Sequence, residues 1–363
     1  MQGRKRALAL MCGAFALAIA LIVWPMPAHA ASITLVSPEN GQSVSIVNAK
    51  AESWWSGYKV HGDLRNKKKQ DLVKPKPVKL KWKGREGYTY RVYVSLSPTM
   101  DDCLKYKTSK QSVKVKRLLR GKTYYWKAVG EKGSKRIKSK VRHFKTKNTV
   151  RIVSVSGVSN VRDIGGYKAS RGAKVKQGMV YRCASLDKIT ASGKKVLKRK
   201  LQAKTDLDLR CVGEGTAGEG SPALGSYMNC RGAMYDDIFE AGKLRDRFVA
   251  EFKVFADAEN YPIVMHCTYG RDRTGTLAFV LNAYLGVSKK NLYRDYELTF
   301  LTKCGMKHEK SAKERAKRLD ALYQKMASYK DPDKSLAYNT KAYLLDAGMT
   351  PEELEAIKSI LLE

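Results

Sequence analysis

Alternation of apolar and polar residues dominates the first part of the chain. Val78, Leu80 and Trp82 are separated by lysines, and Trp126 occupies an apolar position in a later run of the same kind. A period of two places one set of side chains in a core and the other set in solvent, as in a β-strand. Glycine-containing turn sequences separate the runs. The pattern predicts an all-β unit over residues 32–148, whose aromatic side chains form its core.

A different pattern begins near residue 149. Residues 261–265 form a short apolar run that predicts a buried strand, and residues 277–285 have the apolar density of a buried helix. Phe248 and Phe252 recur at helical spacing just before that strand. The second part of the chain therefore contains a strand, a short loop and a helix in immediate succession.

Length and the N-terminal residues add two further expectations. A chain of 363 residues suggests two domains, because single cores stop growing near about 250 to 300 residues. A basic start, an apolar stretch over residues 7–24 and an exit rich in small residues predict a signal peptide over residues 1–30, cleaved after Ala30. A retained membrane anchor is the alternative, since the apolar stretch approaches spanning length. We expect a secreted or cell-envelope protein.

The charge is strongly positive. Lysine and arginine number 70 against 34 aspartate and glutamate residues, a net charge of +36, and the excess is concentrated before residue 150. Such a charge predicts attraction to an anionic membrane or cell-wall surface. A solvated basic surface that serves solubility is the alternative. No nucleic-acid-binding motif is present, so no nucleic acid partner is expected.

The cysteines do not suggest a scaffold. After removal of residues 1–30, six remain without any Cys-x-x-Cys pair: Cys103, Cys183, Cys211, Cys230, Cys267 and Cys304. Neither a disulfide framework nor a zinc site is indicated, and we expect no metal and no cofactor. A reversible disulfide between Cys267 and either Cys183 or Cys211 is a hypothesis for an exported thiol enzyme.

The loop between the strand and the helix carries the chemistry. Cys267 is followed by five residues, then Arg273 and Thr274. Such a loop can point its backbone N–H groups at a phosphoryl group, and the helix N-terminus adds positive charge. Arg273 would hold two phosphoryl oxygens, and the same field favours a nucleophilic thiolate at Cys267. The hydroxyl of Thr274 would hydrogen-bond the departing sulfur.

This loop resembles the signature loop of the cysteine-dependent protein-tyrosine phosphatase superfamily. The matching positions are His266, Cys267, Gly270, Arg273, Thr274 and Gly275. The Arg271-Asp272-Arg273 core is similar to the lysine-aspartate-arginine variant of bacterial tyrosine and lipid phosphatases. The resemblance implies an α/β protein-tyrosine-phosphatase-like domain over residues 149–363 and hydrolysis of a phosphomonoester through a phosphocysteine. A purely structural cysteine is the alternative.

A second motif, about a hundred residues earlier, resembles the opening of the same subfamily. It comprises Asn160, Arg162, Asp163, Gly165, Gly166, Tyr181 and Arg182. The resemblance implies that Arg162 and Asp163 support the catalytic loop, whereas a surface salt bridge is the alternative. The segment 204–210 predicts a strand that ends at Asp208 and Arg210 and is followed by Glu214. The glycine-rich segment 212–235 is predicted to be a mobile loop over the site.

The general acid is the open question, because the Trp-Pro-Asp sequence usual in the superfamily is absent. Asp272 is the first candidate, Asp208 the second, and Asp236 or Asp237 the third. A charge-balancing role for Asp272 between its neighbouring arginines is the alternative.

The remaining loop residues are predicted to bind substrate: Thr268, Tyr269, Gly270, Arg271 and Thr274. Arg271 would add a third cationic element that suits a substrate with more than one phosphate, such as a phosphoinositide, while Tyr269 would narrow the pocket. Phosphotyrosine fits equally well. The rival functions are an inactive phosphatase-like domain that binds phosphate or anionic polymer at the envelope, sulfur transfer by a rhodanese-like loop, and arsenate reduction.

The all-β unit resembles a fibronectin type III or related immunoglobulin-like sandwich. The resemblance rests on Trp82 in an early strand, the turn at 119–125 and the closing run 143–147. The expected architecture is therefore an all-β sandwich followed by an α/β domain. The segment 66–79 is predicted to be an exposed basic loop or edge.

Overall fold

The structure is a computed structural model, and it describes residues 33–62 and 65–363. The predicted signal peptide, residues 1–30, lies outside these residues. Within the described ranges, no helix has both the length and the hydrophobicity that crossing a bilayer requires. Residues 33–148 are called the β-sheet unit below, and residues 149–363 the α/β unit.

The β-sheet unit contains two sheets. Its strands are β1 (Thr34–Ser37), β2 (Ser43–Val44), β3 (Val78–Lys83), β4 (Thr89–Ser95), β5 (Leu104–Thr108), β6 (Ser112–Val115), β7 (Thr123–Lys132), β8 (Lys135–Lys138) and β9 (Arg142–Thr146). The smaller sheet has the order β1-β3-β6. The larger has the order β2-β9-β7-β4-β5, with β8 paired to β7. Apart from the parallel pair β2 and β9, neighbouring strands are antiparallel.

The alternation in the sequence decides which face each strand buries. Leu80 and Trp82 on β3 and Trp126 on β7 are buried, as predicted. The ring of Trp82 meets that of Tyr90 edge to face at 5.3 Å between centroids. The aromatic side chains therefore form the core between the sheets.

One helix in this unit was not predicted. Helix α1 (Ala49–Ser56) lies between β2 and β3, and the side chain of Asn48 caps it by accepting a hydrogen bond from the amide of Ala51. Asn48 is a favoured N-cap residue, so a signal for this helix was present in the sequence. The unit is therefore not all-β over its whole length.

The α/β unit is built on a five-stranded sheet. Its strands are β10 (Arg162–Asp163), β11 (Val180–Cys183), β12 (Thr205–Asp208), β13 (Ser226–Asn229) and β14 (Ile263–His266), in the order β10-β11-β14-β12-β13. Strand β14 is central and runs parallel to both neighbours, so that Cys183 and Asp208 lie beside His266. Three strand ends therefore meet where the loop of residues 267–272 begins, as expected for a ligand site at the carboxyl edge of a parallel sheet.

Helices cover this sheet. They are α2 (Ala191–Lys195), α3 (Lys243–Lys253), α4 (Arg273–Tyr284), α5 (Lys289–Glu297), α6 (Glu309–Ala327), α7 (Leu336–Asp346) and α8 (Pro351–Leu361). Short helical segments lie at Ser170–Gly172, Val196–Lys200, Tyr235–Phe239, Val254–Ala256, Ala258–Asn260 and Leu298–Leu301. Helix α4 is buried along most of its length. The capping box of Thr350 and Glu353 starts α8, as its sequence predicts.

The two units pack directly on each other. The amide of Leu72 donates to the carbonyl of Leu301 at 2.9 Å, and the side chain of Asn66 donates to the carbonyl of Thr302 at 2.7 Å. Asn66, Val73 and Val78 are buried, and residues 78 and 79 belong to β3, the middle strand of its sheet. The prediction that residues 66–79 form an exposed loop or edge is therefore wrong at these positions.

A buried arginine makes the second connection. The guanidinium of Arg120 donates to the carbonyl oxygens of Gly165 and Thr149, both at 2.7 Å, and lies 4.1 Å from the ring centroid of Tyr167. Because a buried guanidinium must satisfy its donors, this contact fixes how the two units meet.

Candidate active site

Residues 267–272, called the catalytic loop after their predicted role, connect the central strand to the central helix. Strand β14 ends at His266, Cys267 follows with 3% of its surface exposed, and α4 begins at Arg273. The loop therefore lies at the carboxyl edge of the sheet and at the N-terminus of a helix, where an anion is stabilised. The predicted succession of strand, loop and helix is confirmed.

Hydrogen bonds from outside orient the loop backbone. Asn160 donates to the carbonyls of Tyr269 and Gly270 at 3.1 and 3.2 Å, and Arg182 donates to the carbonyl of Gly270 at 2.8 Å. In a trans peptide the C=O and the following N–H point in opposite directions. The amides of Gly270 and Arg271 therefore face the interior of the loop. Within the described residues, neither amide donates a hydrogen bond.

A buried ion-pair network holds this support in place. Asp295 accepts from Nε of Arg162 at 3.0 Å and from Nη1 of Arg182 at 2.6 Å, and all three residues are buried. Although burial raises the pKa of Asp295, the two guanidinium groups hold it below its ordinary value. Arg162 also bonds the side chain of Asn160. The predicted supporting role of Arg162 is confirmed.

Asp163 does not share that role. Its carboxylate lies 2.7 Å from Nη1 of Arg151 and accepts the amides of Gly165 and Gly178. The prediction that Asp163 supports the catalytic loop is therefore wrong. It fixes the turn before β11 instead.

Gly270 is required by close packing. Its φ is +61°, and a Cβ at this position would lie 1.9 Å from the carbonyl oxygen of Cys183. Only glycine fits this backbone conformation and this contact without moving β11.

Arg273 is held by a carboxylate that the prediction did not place in the site. Its Nη1 and Nη2 donate to the two oxygens of Glu214 at 2.8 and 2.7 Å, and Nη1 also donates to the carbonyl of Leu209 at 3.1 Å. The hydroxyl of Thr268 donates to the same carboxylate at 2.9 Å. Hydrogen bonding by Arg273 lowers the pKa of Glu214 strongly, so this residue stays ionised. The pairing occupies one edge of the guanidinium and fixes its orientation, so a phosphoryl group would bind through the N–H donors that remain.

Arg271, predicted to add a third cationic element for the substrate, is engaged by other residues of the protein. It is buried, Nη1 donates to the carbonyl of Cys304 at 2.8 Å, and Nη2 donates to the carboxylate of Asp272 at 3.1 Å. Its guanidinium lies 5.1 Å from the ring centroid of Tyr269. The charge of Arg271 is thus engaged within the protein.

The two leading acid candidates differ in access. The side chain of Asp272 is 14% exposed and accepts from Tyr235 and Arg271, whereas that of Asp208 is 1% exposed and is bonded to Arg210 through both oxygens. Burial raises both pKa values, but the arginine partners outweigh it and hold both below the ordinary value. Access to the loop therefore favours Asp272.

The third candidates lie elsewhere. Asp236 pairs with Lys325 at 3.0 Å and Asp237 with Arg318 at 2.7 Å, both on helix α6. These pairs anchor the segment Tyr235–Phe239 to that helix. The structure does not bring Asp236 or Asp237 into contact with the catalytic loop.

Two further loop side chains have distinct surroundings. Tyr269 is 48% exposed, and the ammonium of Lys69, from the β-sheet unit, lies 5.9 Å from its ring centroid. The hydroxyl of Thr274 is buried and has no hydrogen-bond partner within the described residues. An unpartnered hydroxyl at this position is suited to a thiolate acceptor.

A buried carboxyl below the loop was missed. Glu251 on α3 is fully buried, and neither of its oxygens has a hydrogen-bond partner within residues 33–62 and 65–363. Burial raises the pKa of Glu251 well above its ordinary value, against the opposing effect of Arg273. The sequence held a signal, because Glu251 lies on the same helical face as Phe248 and Phe252.

The six cysteines within the described residues are free. Cys183 is buried beside the loop, and burial raises its pKa well above the ordinary value. A disulfide between Cys267 and Cys183 or Cys211 stays a prediction. In the described part of the chain, no group of three or more His, Cys, Asp and Glu side chains is arranged to hold a metal ion.

Part of the glycine-rich segment 212–235 forms a strand. Four of its residues form strand β13 (Ser226–Asn229), which extends the sheet beyond β12, and Glu214 at its start bonds Arg273. A continuous loop over 212–235 was predicted, so the strand is a correction. The residues of β13 pair in parallel register with those of β12, and this pairing explains why they form a strand rather than a loop.

Comparison with known proteins assigns the family. Residues 153–363 match the model of the tyrosine phosphatase family, which is more than half of the chain. The chain belongs to the tyrosine phosphatase family.

Individual relatives are distant. A protein of Cupriavidus necator, provisionally named a tyrosine-protein phosphatase, is 28% identical over 171 residues, covering 38% of this chain. This chain spans 59% of that relative's length. Two solved structures also match part of this chain. They are the core catalytic domain of PP-IP phosphatase SIW14 from S. cerevisiae in complex with citrate, and the Siw14 catalytic core. Their sequence identities to this chain are 13% and 14%, and the TM-scores are 0.28 and 0.26. The matched regions cover 49% and 47% of this chain, and 94% and 96% of the two solved chains.

Proposed function

We propose that the chain is an exported, cysteine-dependent phosphomonoesterase. The observation that carries the proposal is the cradle around Cys267. Its amides at Gly270 and Arg271 face inward without partners in the described residues, and Glu214 fixes the fork of Arg273. Such a site matches the oxygens of a phosphoryl group. Family membership supports the same reaction.

The proposed reaction has two steps. In the first, the sulfur of Cys267 attacks phosphorus while the bond to the leaving oxygen breaks, and Asp272 gives that oxygen a proton. In the second, water attacks phosphorus, the phosphorus–sulfur bond breaks, and Asp272 takes the water's proton. Arg273 and the loop amides hold the remaining phosphoryl oxygens in both steps.

For the substrate, we propose a tyrosine-phosphorylated protein. The side chain of Arg271 is 5% exposed, against 15% for Arg273, and its guanidinium is held by both Asp272 and the carbonyl of Cys304. It is therefore less accessible to a second phosphate, which weakens the case for a phosphoinositide. The exposed ring of Tyr269 at the mouth of the loop suits contact with an aromatic leaving group. Competition between a phosphotyrosine peptide and a soluble phosphoinositide at equal concentration tests this choice, and preferential hydrolysis of the phosphoinositide would overturn it.

The reaction itself is tested by trapping. The protein is mixed with an aryl phosphate labelled in its phosphoryl group, and the reaction is rapidly quenched with acid. The label should then be found on the peptide that contains Cys267. The Cys267→Ser variant should release phosphate at least about 10⁴-fold more slowly, since removal of a nucleophile abolishes covalent catalysis. Cys103→Ser, outside the catalytic loop, is the control and should retain activity. Binding of phosphate without turnover in the unaltered protein would favour the inactive phosphate-binding alternative.

Export and the nature of the β-sheet unit complete the proposal. The N-terminal sequence pattern supports a cleaved signal peptide, and mass spectrometry of the secreted protein should find Ala31 as its first residue. The three-stranded and larger sheets, joined by an aromatic core, support a fibronectin type III-like unit. Retention of residues 1–30 in the mature protein would overturn the first statement.

A further inference from the structure

The outer face of the larger sheet carries rows of cations. In the strand register, Tyr93 lies between Lys105 and Lys127, and in the next row Arg91 lies opposite Lys107. The alternate residues of these strands, such as Val92 and Ala128, are buried in the core. The cationic side chains therefore point outward. Together with the exposed Lys138 of β8, they form what we call the basic sheet face: Arg91, Lys105, Lys107, Lys127 and Lys138.

This arrangement costs stability where like charges are opposed. Like charges directly opposite each other on neighbouring strands, such as Arg91 and Lys107, are destabilising. One carboxylate partly offsets them, because Glu131 lies 3.3 Å from Arg91 and 3.8 Å from Arg136. The remaining excess of positive charge would attract an anionic partner.

A broad hollow lies on this face. Its volume is about 1160 Å³ and it opens to solvent. The charged side chains that line it are Lys105, Lys127, Arg136, Lys138, Lys140 and Asp102. Five of these six are basic, so the hollow concentrates positive potential over a wide and shallow surface.

Charge alone does not single out this face, because the smaller sheet also presents exposed lysines, including the opposed pair Lys79 and Lys114. Apolar exposure alone does not make the distinction either, because Val36 on β1 of the smaller sheet is 41% exposed. The distinction is the combination of the basic hollow with apolar side chains at its border. Val141, which lines the hollow, is 45% exposed, and Leu96, at the start of the loop that borders it, is 48% exposed. Exposed apolar side chains beside a basic surface are typical of proteins that bind the membrane interface.

We propose that the basic sheet face docks on a bilayer that contains anionic lipids. The lysines would meet headgroup phosphates, while Val141 and Leu96 would enter the boundary between headgroups and acyl chains. The exposed apolar side chains favour a bilayer over a soluble anionic polymer, which offers no apolar region for them to enter. The proposal does not depend on catalytic activity.

The experiment uses the secreted chain and vesicles of phosphatidylcholine with and without phosphatidylglycerol. The unaltered protein should sediment with the anionic vesicles only. The double variant Lys105→Gln/Lys127→Gln should bind them roughly 30-fold more weakly, because each basic residue near an anionic surface contributes about a fivefold factor. Hydrolysis of a soluble aryl phosphate should not change, since neither lysine lies near Cys267.

The matched control is Lys79→Gln/Lys114→Gln, which removes the same charge from the smaller sheet. It should retain vesicle binding to within about threefold. Equal loss in both double variants would show that net charge alone attracts the protein and would overturn the proposal. So would a wild-type protein that ignores anionic vesicles but binds a soluble anionic polymer.

The apolar contribution is tested separately. Leu96→Ser/Val141→Ser keeps every charge, so it should preserve the salt-sensitive attraction but release the protein from vesicles when salt screens the lysines. Unaltered binding of this variant in high salt would exclude insertion and would contradict the proposal.

Discussion

The two units use their basic residues in different ways. In the α/β unit, Arg162 and Arg182 are buried against Asp295 behind the catalytic loop. In the β-sheet unit, most cations lie on outer faces, and pairs such as Lys122 with Glu363 are partly exposed. The same kinds of side chain thus build an internal scaffold in one unit and a surface potential in the other.

The difference has an energetic origin. A buried charge is tolerated only with its partner, so removal of one carboxylate leaves the arginines uncompensated. An exposed pair is solvated with or without its partner and contributes little. Individual buried pairs should therefore matter greatly for folding, and exposed cations should matter collectively and mainly for binding.

The largest expected effect is in the scaffold. Asp295→Asn removes the carboxylate shared by Arg162 and Arg182, and should lower the free energy of unfolding by about 3 to 5 kcal/mol. Urea denaturation followed by far-ultraviolet circular dichroism measures this.

The matched control is an exposed pair. Glu363→Gln breaks the contact with Lys122, whose atoms lie 2.7 Å apart, and should change the same free energy by less than about 1 kcal/mol. Equal destabilisation by the two substitutions would remove the distinction between buried and exposed charges in this molecule.

The pH profile tests the acid. Because its arginine neighbour holds the pKa of Asp272 below the ordinary value, the protonated acid becomes scarcer as the pH rises through the acidic range. Activity on an alkyl phosphate, which needs that proton, should therefore fall with rising pH. Asp272→Asn should abolish this slope and reduce the rate at acidic pH by about 10³-fold.

Two comparisons sharpen that result. An aryl phosphate with a good leaving group should be much less affected by Asp272→Asn, since it needs little protonation. Asp208→Asn should leave the slope intact, because that carboxylate is enclosed by Arg210. An unchanged slope in the Asp272 variant would assign this residue to charge balance alone.

The next effect concerns the phosphate-binding fork. Glu214→Gln replaces the carboxylate that accepts both Nη atoms of Arg273, so the guanidinium should lose its fixed orientation. We expect kcat/KM to fall by roughly 100-fold, the typical consequence of a misplaced binding group. Glu219→Gln, exposed in the same segment, is the control for steady-state kinetics. Equal kcat/KM for Glu214→Gln and Glu219→Gln would mean that Arg273 needs no carboxylate to hold its orientation.

The sequence predicted the features that local pattern determines. The alternation in β3 predicts its buried face, and the residues from Cys267 to Arg273 predict a strand, a loop and a helix at an anion site. These features depend on residues close together in the chain. Their periodicity or spacing therefore carries the information.

Distant contacts left no such pattern. The direction of Arg271 depends on the carbonyl of Cys304, which belongs to a segment more than thirty residues away. The attachment of Asn66 to the α/β unit likewise depends on Thr302. Neither contact has a local period, so sequence reasoning gave a free cation and an exposed loop where the structure has buried groups.

Substitution of Lys69 is expected to have the smallest effect. It tests whether a basic residue of the β-sheet unit contributes at the catalytic loop of the α/β unit. Its ammonium donates to the carbonyl of Gly305 at 2.8 Å and lies 5.9 Å from the ring centroid of Tyr269, so a surface cation of the β-sheet unit reaches the catalytic loop. Lys69→Ala should raise KM for a phosphotyrosine peptide roughly threefold with kcat unchanged, in keeping with an exposed cation–π contact. Lys68→Ala, an exposed neighbour, should change neither constant. If neither variant changes KM or kcat, the basic residues of the β-sheet unit contribute only at its outer surface. If Lys69→Ala raises KM and Lys68→Ala does not, a surface cation of the β-sheet unit also contributes to substrate binding at the catalytic loop.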